Sequence, residues 1–210
     1  MNNGLTSWND YCALENVSRE TIAALRTYER LLREWSRVIN LVSEATLPNL
    51  WLRHFADSLQ LRKFTRGMEH FLDLGSGAGF PGLVLALDAI GTKANFHLIE
   101  VDQRKCAFLR AVVLETGASA TVHCSRIEQV MEKLPAVDVV MARALKPLPQ
   151  LVSMASFKLE QGAIGLFPKG REFATELTLA EAQGNYVFEC FKSLTNADAR
   201  IITVKSHARA

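Results

Sequence analysis

His70-Phe71-Leu72-Asp73-Leu74-Gly75-Ser76-Gly77-Ala78-Gly79-Phe80-Pro81-Gly82 is the stretch that decides the fold. Its opening is short, mostly apolar and ended by glycine, the pattern of a buried strand. Glycine then occupies four of the eight positions from Gly75 to Gly82. The apolar run Leu83-Val84-Leu85-Ala86-Leu87 continues as a buried helix. Pro81 suits the first turn of that helix, where a missing N–H costs nothing. Strand, glycine turn and helix form the first unit of a dinucleotide-type fold, with free helix N–H groups facing a ligand.

Two chemistries compete for the loop. Gly77-Ala78-Gly79-Phe80-Pro81-Gly82 fits G-x-G-x-x-G, the pattern of NAD and FAD sites. Asp73-x-Gly75-x-Gly77-x-Gly79 looks like the first motif of S-adenosylmethionine (SAM) methyltransferases. Asp73 favours SAM: a carboxylate there holds a cationic amino group and repels a pyrophosphate. Asp73, Gly75, Gly77 and Gly79 are then cofactor-loop residues. A tight turn without a ligand is the third reading, and it leaves four weakening glycines unexplained.

Outward from the loop, the chain alternates strand and helix. Strands are expected at Ala94 to Ile99, Thr121 to Cys124, Val137 to Ala142 and Ala163 to Phe167. Helices are expected at Gln103 to Glu115, Ser125 to Leu134, Pro149 to Phe157 and Phe173 to Gln183. Two strands, Val187 to Leu194 and Arg200 to Val204, follow with no helix between them and predict an antiparallel hairpin. The fold class is therefore α/β: a Rossmann-like, mostly parallel sheet closed by a C-terminal hairpin.

Upstream, a helix starts at Ser18 as N-cap with Glu20 in its first turn. Ile22, Leu25, Leu32, Trp35 and Ile39 make its apolar stripe, flanked by Leu31 and Val38. Arg26, Glu29, Arg30, Arg33 and Glu34 form a solvated face. A second helix is expected from Pro48 to Leu61. On it His54 and Asp57, three apart, can touch, as a structural pair holding this extension to the core. A basic linker, Arg62, Lys63 and Arg66, leads onward. The expected division is a helical extension at 1–66 and a catalytic domain at 67–210.

With 210 residues, 49% apolar and 22% charged, the chain is long and apolar enough for a full core. A net charge of +2 permits an RNA partner without arguing for one, so any basic surface must come from local clustering. Cys12, Cys106, Cys124 and Cys190 make no C-x-x-C pair, which points away from a metal or disulfide framework and toward buried thiols in a reducing cytoplasm. No basic-then-apolar leader is seen, and no apolar run reaches the roughly 18 residues of a membrane span.

Glu100 ends the second strand, 18 positions beyond Gly82, close to the roughly 20 expected for a carboxylate on a nucleotide ribose. That supports a nucleoside and does not separate NAD from SAM. Asp102 caps the next helix. Ser125-Arg126-Ile127-Glu128 is a capping box and also lies where a methyltransferase meets adenine. Met141-Ala142-Arg143-Ala144-Leu145-Lys146-Pro147 ends the fourth strand, where the methyl acceptor sits. It lacks the (Asp/Asn)-Pro-Pro-aromatic motif of amine methylation and the cysteine of pyrimidine-carbon methylation. Guanine N7, whose exposed lone pair needs no proton removed, fits what remains. Arg143 and Lys169 are candidates for substrate positioning. Arg104, Lys105, Arg126, Lys146, Lys169 and Arg171 surround the expected mouth and point to a polyanionic acceptor. Solvation alone explains any one of them, and explains the set less well.

Taken together, Arg53-His54-Phe55-Ala56-Asp57-Ser58, the Asp73 to Gly82 loop, Phe108-Leu109-Arg110, Ser125 to Glu128, Ala142-Arg143-Ala144 and Lys169-Gly170 resemble the RsmG family, also called glucose-inhibited division protein B, of small-subunit rRNA guanine-N7 methyltransferases. The resemblance covers most of the chain. It implies SAM binding by Gly75, Phe80, Ile127, Glu128 and Arg143, with the ribose on Glu100, where several members carry Asp. It implies 16S rRNA as partner, in the small subunit or an assembly intermediate, and a cytoplasmic monomer. An NAD-dependent oxidoreductase and a non-catalytic RNA-binding module are the competing readings.

Overall fold

The computed structural model describes residues 7–207, with the side chains at 13 and 14 excepted. The outermost residues of the two expected segments, 1–6 and 208–210, lie outside the described residues.

Seven strands form one sheet in the order β3-β2-β1-β4-β5-β7-β6. They are β1 (His70–Leu74), β2 (Asn95–Glu100), β3 (Ala120–Cys124), β4 (Val139–Met141), β5 (Ile164–Lys169), β6 (Tyr186–Lys192) and β7 (Arg200–Ser206). The first five pair in parallel, and β7 pairs antiparallel with both β5 and β6. The expected parallel sheet with a terminal hairpin is what the chain forms. Strand order reverses between β1 and β4, and at such a switch the crevice beyond the strand ends takes the ligand.

The helices in chain order are α1 (Trp8–Glu15), α2 (Arg19–Trp35), the single turn α3 (Asp57–Leu59), α4 (Gly82–Asp88), α5 (Gln103–Thr116), the short α6 (Ile127–Val130), α7 (Leu148–Glu160) and α8 (Phe173–Glu181). Both sheet faces are covered. Phe71 and Leu98 pack into one apolar layer with Leu25, Leu83 and Phe108. Leu72 and Val140 pack into the other with Leu151, Leu159 and Ile202. Successive β1 residues thus enter opposite layers, as strand geometry requires, and burial on both sides explains why β1 reads as nearly continuous apolar sequence.

Local rules place the helix ends. Ser18 accepts from Thr21 N at 3.0 Å and starts α2. Asp102 accepts from Arg104 N at 2.8 Å and starts α5. Gly117, at φ 72°, ends it. Elsewhere the expectations need correction. The expected helix from Pro48 to Leu61 is a chain of tight and wide turns: a 3-10 segment at Glu44–Asn49, a π segment at Trp51–Ala56, α3, and a second 3-10 segment at Gln60–Phe64. The expected helix from Ser125 to Leu134 shortens to α6, and its capping box does not form, because Ser125 Oγ bonds Gln129 instead. Val38 is 81% exposed, since α2 has already ended at Trp35. Cys106 is a buried thiol, while Cys124 and Cys190 are exposed.

Tyr28 is the α2 residue that the apolar stripe did not single out, and it is fully buried. Its hydroxyl donates to the Ala78 carbonyl in the glycine loop. Its ring stacks on Phe80 at 5.6 Å between centroids. The extension is therefore packed directly on the back of the loop, in one apolar layer with the sheet. Tyr28→Phe keeps the ring and strands a buried carbonyl, so urea unfolding should show a loss of about 1–3 kcal/mol.

Candidate active site

β1 ends in the loop that roofs a cavity of about 620 Å³ at the strand-order switch. Gly75, Gly77, Phe80, Glu100, Ile127, Glu128 and Arg143 all line it. Gly77 sits at φ +58°, a left-handed conformation that glycine adopts without strain. Glu100 is 7% exposed. Its Oε2 accepts from Gly77 N, and its Oε1 from Val101 N and Asp102 N, each at 2.8 Å. Three backbone donors thus fix a carboxylate with about four acceptor positions, which leaves one for a ligand.

Two expected loop contacts lie elsewhere. Asp73 is 1% exposed and sits beneath the loop, not on the cavity wall. Its Oδ2 accepts from Gly82 N at 3.1 Å and its Oδ1 has no partner. Burial pushes its carboxyl up to about 7. Gly79 also leaves the wall: a Cβ there would stand 2.8 Å from the Leu83 Cβ and 2.9 Å from the Tyr28 hydroxyl. That glycine serves the packing of α2 on the loop. The sequence motif shows which residues are glycine and not which way each faces.

Arg143, just beyond β4, meets the extension. Its Nη1 donates to Asp57 Oδ2 at 3.0 Å and its Nη2 to His54 Nδ1 at 2.8 Å. The guanidinium lies 4.8 Å from the Phe80 ring centroid, and His54 stacks on the same ring at 4.7 Å. His54 and Asp57, expected to touch each other, meet through Arg143 instead. Because arginine only donates, His54 Nδ1 must accept, and the ring proton sits on Nε2. That Nε2 is buried without a partner. Burial, with Arg143 and Arg53 nearby, lowers the His54 pKa to about 4, so the ring is neutral at physiological pH. A second cavity, of about 800 Å³, opens on the other side of Arg143 and is reached by β5 and the β6–β7 hairpin.

Residues 21–199 match the family described as rRNA small subunit methyltransferase G. The chain belongs to this family. A protein of that name from Methylobacterium sp. (strain 4-46) is 47% identical over 192 residues, covering 90% of this chain and 91% of its own. A protein of the same name from Rhodospirillum centenum (strain ATCC 51521 / SW) is 48% identical over 200 residues, covering 95% and 90%. Among solved structures, a mutant of MtNAS in complex with S-adenosylmethionine aligns with TM-score 0.60 at 14% identity, covering 95% of this chain and 84% of its own. The O-methyltransferase TomG from Streptomyces achromogenes, in complex with SAM, aligns at 0.60 with 13% identity, covering 93% and 94%. The sheet with its antiparallel hairpin is that of SAM-dependent methyltransferases.

For a member of the methyltransferase G family, the cavity suits a cationic nucleoside cofactor. Ile99, Val101 and Ile127 give the cavity an apolar wall, and Glu100 keeps one free acceptor position. The partnerless Asp73 Oδ1 behind the loop is a buried acceptor that a nearby positive charge would stabilise.

The basic residues divide. Lys105 and Arg126 line the first cavity. Arg104 is 71% exposed, with Asp102 at 3.8 Å. Lys146 is exposed, and its carbonyl accepts from Lys169 Nζ at 3.0 Å. Lys169 corrects its expected role: its side chain is 9% exposed and pairs with Glu176 at 2.6 Å, so it braces β5 against α8. Arg171 is 85% exposed, with Asp198 at 3.2 Å. Arg53 and Arg200 on the second cavity were missed. Arg53 stood in the quoted motif, but no sequence spacing links it to Arg200.

Asp73 has a folded pKa of about 7 against an ordinary 3.8. Below 3.8 both states hold the proton, whereas between these values the unfolded chain releases it first. Stability from this group is therefore full at low pH and lost as pH rises through about 7. Asp73→Asn removes that loss. Denaturation at several pH values should show the variant gaining on wild type from pH ~4 to ~7, by up to about 4 kcal/mol.

Proposed function

We propose that this chain transfers a methyl group from SAM to N7 of a guanine in 16S rRNA of the small subunit. The carrying observation is the cavity at the strand switch, ending on Glu100, in a chain of the methyltransferase G family. When bound, SAM supplies a methyl group made electrophilic by its sulfonium. Glu100, fixed by three backbone N–H groups, takes a ribose hydroxyl on its one remaining acceptor position. Gly75, Gly77 and Phe80 shape the roof, while Ile127 and Glu128 border the adenine end. Arg143 closes the side toward the acceptor.

Guanine N7 is favoured because its lone pair attacks without loss of a proton, so the protein has only to align it. The two titratable groups that hold Arg143 agree with this. Asp57 is occupied by Arg143, Gln60 and Thr195. His54 is a neutral ring whose Nδ1 already accepts from Arg143. Neither is a free base beside the acceptor. In A-form RNA the deep, narrow major groove hides N7, so the target guanine is unpaired or flipped out.

Calorimetry with S-adenosylhomocysteine should show Glu100→Ala losing about 1.5–3 kcal/mol for the one charge-assisted hydrogen bond removed. Unchanged affinity in a folded variant would take Glu100 out of the site. The product is tested by incubating the protein and SAM with small subunits, cleaving chemically at N7-methylguanosine and mapping the break by primer extension. Methyl transfer that yields an amino-methylated base and no cleavage would overturn the acceptor atom and leave the cofactor assignment standing.

A further inference from the structure

We propose that the acceptor nucleotide is seated in the second cavity, with its phosphates on Arg53 and Arg200. The helical extension and the C-terminal hairpin then form the RNA-reading surface, and the basic residues around the first cavity do not. The inference rests on the methyltransferase reading above. Direct transfer demands that donor and acceptor atoms come within about 3–3.5 Å, so their cavities must share a wall. The second cavity shares His54, Arg143 and Ala144 with the first and sits at the ends of β4 and β5. The cavity beside the end of α2 shares only Val42 and touches no strand end.

Charge supports the same occupant. Five cationic side chains line the second cavity, Arg53, Arg143, Lys169, Arg171 and Arg200, against three carboxylates, Asp57, Glu172 and Glu176, so the lining is net positive. Arg143 is neutralised by Asp57 and Lys169 by Glu176. The Arg171–Asp198 pair is exposed on both sides and weak. Arg53 and Arg200 form no ion pair among the described residues. Arg200 is nonetheless held in place: its guanidinium lies 4.7 Å from the Phe173 ring centroid, and Nη1 donates to the carbonyls of Ala197 and Ala199, both at 2.8 Å. Two uncompensated guanidiniums on one cavity of about 800 Å³ fit a nucleotide with its flanking phosphates.

The hairpin also reaches the shared wall. Thr195 donates to Asp57 Oδ1 at 2.7 Å, and Gln60 Oε1 accepts from Leu194 N at 2.8 Å. Asp57 is the carboxylate that holds Arg143. A nucleotide resting on the hairpin therefore touches the support of the residue between the two cavities.

The test uses the full chain and small-subunit rRNA. Arg53 is exposed on its turn, so Arg53→Ala should leave the melting temperature and the S-adenosylhomocysteine affinity unchanged. RNA affinity should fall about fivefold or more at 0.1 M salt, and the log–log salt slope should flatten by about 0.7 for one lost phosphate contact. In parallel, rRNA transcribed with 6-thioguanosine is photo-cross-linked to the wild-type protein in the presence of S-adenosylhomocysteine. Cross-links within residues 53–57 or 193–200 support the assignment. An unchanged salt slope for Arg53→Ala, or cross-links confined to residues 104–126, overturns it. Wild-type protein that binds the RNA but methylates neither rRNA nor subunits would instead sink the methyltransferase reading, since binding and cross-linking need no turnover.

Discussion

Arg143 stands between the two cavities with its side chain only 16% exposed. A buried guanidinium is tolerated when its donors are satisfied, and here Asp57, His54 and the Phe80 ring all answer it. Asp57 is held in turn by Gln60 and Thr195. The extension, the end of β4 and the C-terminal hairpin are thus tied through one cation. Removing Asp57 would leave the Arg143 charge without a counter-ion, so the three pieces hold their relative positions. The wall between the two cavities inherits that fixity.

The same cation sets the electrostatics around the loop. It helps to keep His54 neutral, and burial keeps the Asp73 carboxyl high. His54 Nδ1 is already occupied by Arg143 and Asp73 lies off the cavity wall, so neither meets a substrate as a proton acceptor. This agrees with alkylation of a lone pair that carries no proton. The site's work is then mostly placement, which explains why so much of it is packing: Tyr28 and Phe80 behind the loop, and Gly79 trimmed to let the Tyr28 hydroxyl approach.

Family membership and fold agree at different ranges. Relatives at 47–48% identity follow the chain through extension and sheet alike. Solved structures in complex with S-adenosylmethionine, at 13–14% identity, share the fold and little sequence.

The sequence by itself determined the pieces whose causes are local. The β1–glycine–α4 unit follows from a short apolar run, residues without a Cβ and a helix-forming stretch. Ser18 and Asp102 start their helices because a cap bond spans only two or three residues. The hairpin was legible because no helix separates its strands. Tertiary structure decided the rest. Ser125 had the residue types of a capping box, yet it bonds Gln129 instead. Lys169 pairs with Glu176 because β5 and α8 meet there, and its charge is thereby compensated. Arg143 meets Asp57 across 86 positions of chain, and Thr195 meets Asp57 across 138. Such pairings depend on how whole elements dock, which is set by burial summed over the entire core, and no window of sequence around either partner contains that sum.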